Sequence, residues 1–379
     1  MNRRSLLALN FAAVAVFSDL YITQPILPIL TGRFGVAPAT AGLSVSVVVL
    51  MIAVSSPVWG SLSDAVGRRR VIVVSTGLLA VPTLLASLAP SFGVLLVLRA
   101  AQGLLIPGLT AVAVALLGDH FGGTALTGRV ASWIGATVVG GLSGRVLSGL
   151  LASWTDWHAP FVLFGLLTAA AALLLSRTLP DAPRSASVRP LPNPREMLAH
   201  LRNRRLLGAF LIGGAVLFAF IAVFTFLPYH LTAPPFGLST ATVSTFYFAY
   251  LAGVVTSLLV PRFAGRVSQR SIMAAGLLVA GGGVAGTLLP SVAAVAASLV
   301  VVCVGMFLVQ ATAPAFVNLN AAAAKGAAGA LYVTFYYLGA TLGSFLPGLA
   351  FQQWAWPGVV GACLLSLGVA FFSNRWLCA

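Results

Sequence analysis

Charge is what this chain has least of. Only 7% of its 379 residues are Asp, Glu, Lys or Arg, and six are acidic, whereas a soluble domain carries roughly 25% charged residues. Set against 59% hydrophobic residues, that poverty excludes a water-soluble globule. Cysteine and histidine are scarce as well, at three and four. Cys303, Cys363 and Cys378 form no CxxC pair, and no His/Cys cluster has metal-ligand spacing, so they read as structural thiols and no metal site is expected. A G-x-x-x-x-G-K-[ST] phosphate loop is missing, and no polar stretch is long enough for a nucleotide domain. ATP-driven pumping within this chain is not expected and no cofactor is implied. The same shortage of acids, cysteines and histidines argues against a membrane enzyme.

What the chain has in quantity is apolar sequence. Runs bounded by turn residues fall at about 6–30, 40–62, 71–89, 94–117, 127–152 and 159–176, and again at about 206–231, 239–260, 271–289, 293–317, 327–351 and 355–374. A helix of about 20 apolar residues crosses the hydrocarbon core and satisfies its own backbone there. The spacing therefore predicts an all-α membrane protein of twelve transmembrane helices in two pseudo-symmetric six-helix bundles, at 1–176 and 206–379. Between them, residues 177–205, "RTLPDAPRSASVRPLPNPREMLAHLRNRR", are rich in Pro and Arg, too polar to span and too short for a catalytic domain, and read as a linker. The first run stands where a signal peptide would, but it is too long and ends in "QPILPIL" without a small-residue cleavage site. It reads as the first span.

A formal charge of +15 in a soluble protein would point to nucleic acid. Here its sidedness is the useful quantity, and no nucleic-acid partner is expected. With the N-terminus in the cytoplasm, 18 of the 21 basic residues fall on the cytoplasmic side, from Arg3 and Arg4 through Arg68, Arg69, Arg70 and Arg129 to Lys325 and Arg375. Only Arg33 falls in an external loop, while Arg99 and Arg145 lie inside helices. The predicted topology is multi-pass with both termini cytoplasmic.

The halves echo one another at an offset of roughly 200 residues, as duplicated membrane proteins do. "ILPILTGRFGVAPAT" after the first run resembles "FLPYHLTAPPFGLSTAT" after the seventh, "GSLSD" corresponds weakly to "GRVSQ", and the "GAT" of run five recurs as Gly339, Ala340 and Thr341 in run eleven.

Between the second and third runs stands "GSLSDAVGRRR", residues 60 to 70, with the pattern G-x-L-x-D-x-x-G-R-R-R. Gly60 and Gly67 allow close approach and tight turning, Asp64 can face a helix N-terminus or a basic side chain, and Arg68 can bridge to another acid. Asp119, at the cytoplasmic end of the fourth run, is the acid nearby. Asp64, Arg68 and Asp119, with Arg129, are expected to form a charge cluster that latches the cytoplasmic side. Arg69 and Arg70 read as topology determinants. This pattern resembles the signature loop of the major facilitator superfamily, and "RAAQG" at 99–103 resembles that family's fourth-helix motif. "GATVVGGLSGRVLSG" at 135–149 is similar to its fifth-helix antiporter motif, but lacks the usual Gly-Pro pair and carries Arg145. The resemblance implies the same latch in the outward-open state.

Asp19, in "SDLYITQPILP", lies about 13 residues into the first helix, some ~20 Å from the cytoplasmic boundary of a ~30 Å core. Arg99 and Arg145 reach nearly the same depth on helices running the other way. Intramembrane ionisable groups face a cavity or one another and are functional candidates by default. In one reading Asp19 carries a proton as the cavity changes sides. In another the two arginines hold it ionised and attract an anionic substrate, and within either a purely structural salt bridge is an alternative. Gln102 and Gly103 follow Arg99 at i+3 and i+4 as an amide and a close-approach position. Gly141 and Gly149 flank Arg145 as a small-residue packing ridge.

The second half has no counterpart of these charges: Ala219 aligns with Asp19 and Phe307 with Arg99. Phe220, Phe224, Phe246, Tyr247, Tyr250, Gln310, Tyr332 and Tyr336 are candidates to line an amphipathic pocket, ordinary packing or lipid contact being the alternative for each. His230 reads as an interfacial anchor, a titrating group being the alternative.

The resemblance implies a bacterial-type inner-membrane secondary transporter working by alternating access, similar to drug and metabolite:proton efflux permeases. Its partners would be a small-molecule substrate, protons and the lipid bilayer, and a monomer is expected. Asp19 is the expected coupling acid, with Arg99 and Arg145 as its partners or as anion ligands. The alternatives are an importer or exchanger of a small organic anion, favoured by the excess of buried positive charge, and a non-transporting sensor or scaffold with a transporter fold.

Overall fold

The computed structural model describes residues 1–180, 194–263, 266–321 and 324–378. Among the described residues, ten helices are long and apolar enough to cross a membrane: helix 1 (Arg3–Phe34), helix 2 (Pro38–Val66), helix 3 (Arg68–Ala86), helix 4 (Phe92–His120), helix 5 (Gly123–Trp154), helix 6 (Ala159–Thr178), helix 7 (Arg204–Thr232), helix 8 (Thr240–Arg262), helix 10 (Val292–Asn320) and helix 12 (Leu346–Trp376). Helix 9 (Gln269–Gly286) and helix 11 (Lys325–Gly343) complete the twelve. No strand occurs among the described residues. Helix 12 is broken at Trp354 and Ala355, whose φ/ψ of −129°/15° and 50°/−143° are not helical. That break falls where the twelfth apolar run begins, so residues 346–351 are the end of the eleventh run.

The chain divides into two compact units, Met1–Val36 with Val47–Leu191 and Ala37–Ser46 with Pro192–Ala379. In the first, helix 1 packs on helices 5 and 6, and helix 3 on helices 4 and 6. In the second, helix 7 is the central element, buried over 78% of its most apolar stretch, against helices 10, 11 and 12. Of the segment expected as a linker, residues 181–193, with Asp181, Arg184 and Arg189, lie outside the described residues. The rest is not all loop: Pro194–Arg202 forms a short helix against helices 7 and 11, where His200 meets the Ala324 carbonyl at 3.3 Å.

One close helix crossing recurs in both units. On helix 5, a Cβ on Gly140 would lie 2.6 Å from the Val14 carbonyl oxygen, and one on Gly144 would strike the Ser18 main chain. On helix 11, Gly339 and Gly343 stand the same way against Gly214 and Phe218 of helix 7. Gly339 and Gly343 follow Gly140 and Gly144 by 199 positions, and Gly214 and Phe218 follow Val14 and Ser18 by 200. The duplication is thus carried by a small-xxx-small pair that lets two backbones touch. The structural register pairs Gly339 with Gly140 and not with Gly135, so the "GAT" echo was out of register, and the packing ridge is Gly140/Gly144, one position from the Gly141 of the expected pair.

A second shared device joins the ends of the units. Arg69, the second residue of helix 3, donates through Nη2 to the Ser176 carbonyl in the last turn of helix 6, 2.7 Å away. Arg270, the second residue of helix 9, reaches the Asn374 and Arg375 carbonyls of helix 12 at 3.4 and 3.3 Å. A helix C-terminus has carbonyls without intrahelical donors, and a guanidinium satisfies them. Arg69 therefore does more than set topology.

Candidate functional site

The site of the first unit starts from a proline. Pro25 has no N–H and disfavours helical geometry before it, and helix 1 breaks there: its first α-helical stretch ends at Tyr21, a 3-10 turn spans Gln24–Ile26, and the α-helix resumes at Leu27–Phe34. Main-chain carbonyls at such a break need donors from elsewhere, because lipid supplies none. Arg99 Nη1 donates to the Asp19 carbonyl at 2.9 Å and Nη2 to the Leu20 carbonyl at 2.8 Å. Ser148 Oγ donates to the Ile22 carbonyl at 2.5 Å.

The break holds Asp19 in a buried cage with no solvent exposure. Thr83 Oγ1 donates to its Oδ2 at 2.7 Å, and Gln102 Nε2 to its Oδ1 at 3.2 Å. Gln102 also donates to Thr83 Oγ1 at 2.9 Å and accepts from Arg99 Nη1 at 2.8 Å. Helices 1, 3 and 4 thus meet in one polar knot within the apolar unit. Arg99 is Asp19's neighbour as expected, yet its fork grips the main chain around the acid and the Gln102 amide.

Arg145 is buried as deeply, at 2% exposure, but joins a different group. Its Nε donates to Gln24 Oε1 at 2.7 Å and its Nη1 to the Gly141 carbonyl at 2.7 Å, while its guanidinium lies 3.5 Å from the centre of the Tyr21 ring. Cation–π contact and an amide acceptor supply much of what a buried guanidinium needs.

At the arginine-rich end of the same unit the expected charge cluster is formed. Arg68 Nη1 lies 3.2 Å from Asp64 Oδ1, its Nε pairs with Asp119 Oδ2, and its Nη2 reaches Asp119 Oδ1 at 3.4 Å. Gly67 caps helix 3 with φ 101°, a left-handed value that suits glycine and turns Arg68 back toward Asp64. Two members of the expected set have other surroundings. Arg129 is exposed and stands 5.7 Å from the Phe121 ring. Gly60 lies within helix 2, and a Cβ there would meet nothing within 4 Å.

In the second unit Phe220, Phe224, Tyr247 and Phe307 gather around Tyr250. Phe220 lies 4.9 Å from Tyr250 and 5.8 Å from Phe307 between ring centres, and Phe224 lies 4.6 Å from Tyr250. Tyr247 donates its hydroxyl to the Phe224 carbonyl at 2.9 Å. Phe220, Phe224, Tyr247 and Tyr250 are at most 8% exposed, each packed on others of the group. Gln310 follows Phe307 by three residues, on the same face of helix 10, and its Nε2 is buried without a hydrogen-bond acceptor among the described residues. Tyr332 and Tyr336 stack at 5.9 Å, with Tyr332 against Gly213 of helix 7. Phe246 opens a 3-10 turn of helix 8. His230 stacks flat on Trp356 at 4.6 Å.

Sequence reasoning missed Thr83, Ser148, Gln24 and Tyr21. Pro25 was the available signal for the last two, since it marks where helix 1 must open. Thr83 and Ser148 carried none, being single hydroxyls on glycine-rich or apolar helices.

Comparison with known proteins agrees with this architecture. Residues 9–344 match the family model described as the Major Facilitator Superfamily. The chain is 30% identical to the "Uncharacterized MFS-type transporter YybF" of Bacillus subtilis (strain 168) over 379 residues, covering 99% of this chain and 93% of that one. It is 31% identical to the "Inner membrane transport protein YnfM" of Escherichia coli (strain K12), covering 97% and 88%. The "Multidrug resistance protein MdtG" of Salmonella typhi is 30% identical over 208 residues, 52% of this chain and 49% of that one. A bacterial homologue of the human lysosomal transporter Spinster superposes with a TM-score of 0.78 at 17% identity, covering 100% of this chain and 95% of that structure. The nucleoside transporter NupG gives 0.78 at 14% identity, covering 98% of both. Identities this low speak for the fold alone. With the family model spanning most of the sequence and relatives matching nearly end to end, the chain belongs to the Major Facilitator Superfamily and is a multi-pass membrane transporter, not an enzyme.

Proposed function

We propose that the chain exports a small amphipathic molecule in exchange for protons, with Asp19 as the group that takes up and releases the proton. The observation that carries this reading is a carboxyl with no solvent exposure, at a break in helix 1, whose oxygens are held by the neutral donors Thr83 and Gln102. Such donors keep the group in place without requiring it to stay charged, as a coupling acid must be free to change. The same geometry weighs against uptake of an organic anion through the arginine pair. Arg99 already holds two carbonyls and an amide, and Arg145 already holds Gln24, Gly141 and Tyr21.

The substrate side of the reading rests on the second unit. The aromatic core offers apolar faces, and the buried Gln310 amide one turn from Phe307 offers a donor still lacking an acceptor. That combination suits a molecule with a ring system and a carbonyl or ether oxygen. Half-length similarity to a protein named for multidrug resistance points to the same class. The Asp64–Arg68–Asp119 cluster is assigned the latch of the arginine-rich end.

Proteoliposomes loaded with cationic, neutral and anionic compounds under an imposed pH gradient test the proposal. Gradient-driven export by the wild type that is lost in Asp19→Asn is the expected result. Flux indifferent to the gradient in both proteins would overturn it.

A further inference from the structure

The Asp19 cage contains one donor that can change direction. Arg99 Nη1 donates to Gln102 Oε1 at 2.8 Å, which fixes the amide so that its NH2 group faces inward. Those two amide hydrogens are then committed to Asp19 Oδ1 at 3.2 Å and Thr83 Oγ1 at 2.9 Å. Thr83 differs. Its hydroxyl has a single proton and two acceptors within reach, Asp19 Oδ2 at 2.7 Å and the Leu79 carbonyl one turn back on helix 3 at 2.8 Å. A hydroxyl rotates about its C–O bond to suit its surroundings, whereas the amide and guanidinium hydrogens keep fixed directions.

We infer that Thr83 is the positioning residue for proton coupling: its hydroxyl turns between Asp19 and Leu79 so that the cage stays fully hydrogen-bonded whether or not the carboxyl carries a proton. With Asp19 ionised, Thr83 donates to Oδ2. When Asp19 takes a proton from the aqueous side to which the transporter is open, the new O–H bond forms at Oδ2 and donates back to Thr83 Oγ1. The Thr83 proton swings to the Leu79 carbonyl, and Oγ1 accepts from both Gln102 and Asp19. No bond of the cage is left unmade in either state, and release of the proton reverses the turn. Without such a rotor a buried O–H would face another donor or an empty position, a penalty that lipid-embedded groups pay in full.

The charged groups around the carboxyl are few. Arg99 approaches from helix 4, and its fork is occupied by the Asp19 and Leu20 carbonyls and Gln102. Helix 5 contributes Arg145, which is held on Gln24, Gly141 and Tyr21. From helix 3 the polar group facing the acid is Thr83 itself, and helix 6, which also packs on helix 1, has no Asp, Glu, Lys, Arg or His in its first eighteen residues, 159–176.

This inference rests on proton-coupled transport, and the test separates the two. Export under a series of imposed pH values is measured for wild type, Thr83→Ser, Thr83→Val, Thr83→Ala and Asp19→Asn, with thermal unfolding of each purified protein alongside. The hydroxyl rotor predicts a wild-type pH profile for Thr83→Ser. For Thr83→Val or Thr83→Ala, whichever folds, it predicts a midpoint moved toward alkaline pH and a severalfold loss of gradient-driven flux. A wild-type profile in the folded Val or Ala variant, with Asp19→Asn still inactive, would overturn the rotor and leave Asp19 coupling intact. Gradient-driven flux retained in Asp19→Asn would overturn the coupling reading, and the rotor with it.

Discussion

Gly140 and Gly144 in the first half, and Gly339 and Gly343 in the second, press against the same stretch of their partner helices, but the residues next to them differ in kind. Arg145 follows Gly144 where Ser344 follows Gly343, and on the partner helix Asp19 follows Ser18 where Ala219 follows Phe218. One half buries an acid and two arginines in hydrogen-bonded knots. The other has no charge there and packs aromatic rings, with Phe220, Phe224, Tyr247 and Tyr250 buried. Main-chain contact at the crossing is a requirement of the fold and was kept on both sides. One position away the side chains diverge, into buried charges in one half and uncharged residues in the other.

The sharpest way to break this comparison is Arg99→Met. It removes the donors for two carbonyls at the helix 1 break, and each unsatisfied group in lipid costs several kcal/mol, so the largest drop in thermal unfolding temperature is expected here. Arg99→Lys should recover only part, because an ammonium lacks the planar fork. A wild-type melting curve for Arg99→Met would show that the knot is not structural.

Gly144→Val and Gly343→Val test the shared part. Overpacking typically costs about 1–3 kcal/mol, and the two substitutions should lower the unfolding temperature to a similar degree. A mild effect in one half and a severe one in the other would undo the equivalence drawn from the 199-residue register.

Smaller still, Tyr247→Phe removes the hydroxyl that donates to the Phe224 carbonyl, costing about 1 kcal/mol. Gradient response should be unchanged, because proton coupling is assigned to Asp19 in the first half. Loss of coupling in this variant would move proton chemistry into the aromatic half. Least of all in stability, Asp119→Asn weakens a pair whose members are 14% and 30% exposed, and pairs so placed contribute under about 1 kcal/mol. A changed export rate at near-constant stability is the expected signature of a latch.

How much of this was legible beforehand follows from what each residue costs. Asp19, Arg99 and Arg145 announced themselves, because charges inside apolar runs are expensive and seldom idle. The Asp64, Arg68 and Asp119 cluster was legible through its glycine and acid spacing. Thr83 was not, since one threonine in "LAVPTLLA" looks like any other small residue on an apolar helix. The pairing of Arg145 with Gln24 and Tyr21 was hidden for a related reason: helical spacing says nothing about partners beyond a break, and the turn at 22–24 resets the face on which Gln24 points. Aromatic residues were found but their packing on one another was not, because uniformly apolar helices give no period by which to separate an open wall from a packed core.

The Arg99 clasp has a consequence for how the protein is made. Asp19 and the arginine that holds its carbonyl are 80 residues apart, and chains are synthesised at about 5–20 residues per second. For several seconds the first helix therefore exists without the side chain that completes it. During that interval the Asp19 and Leu20 carbonyls lack the guanidinium that holds them in the finished protein, so the polar knot closes only once the fourth helix has been delivered.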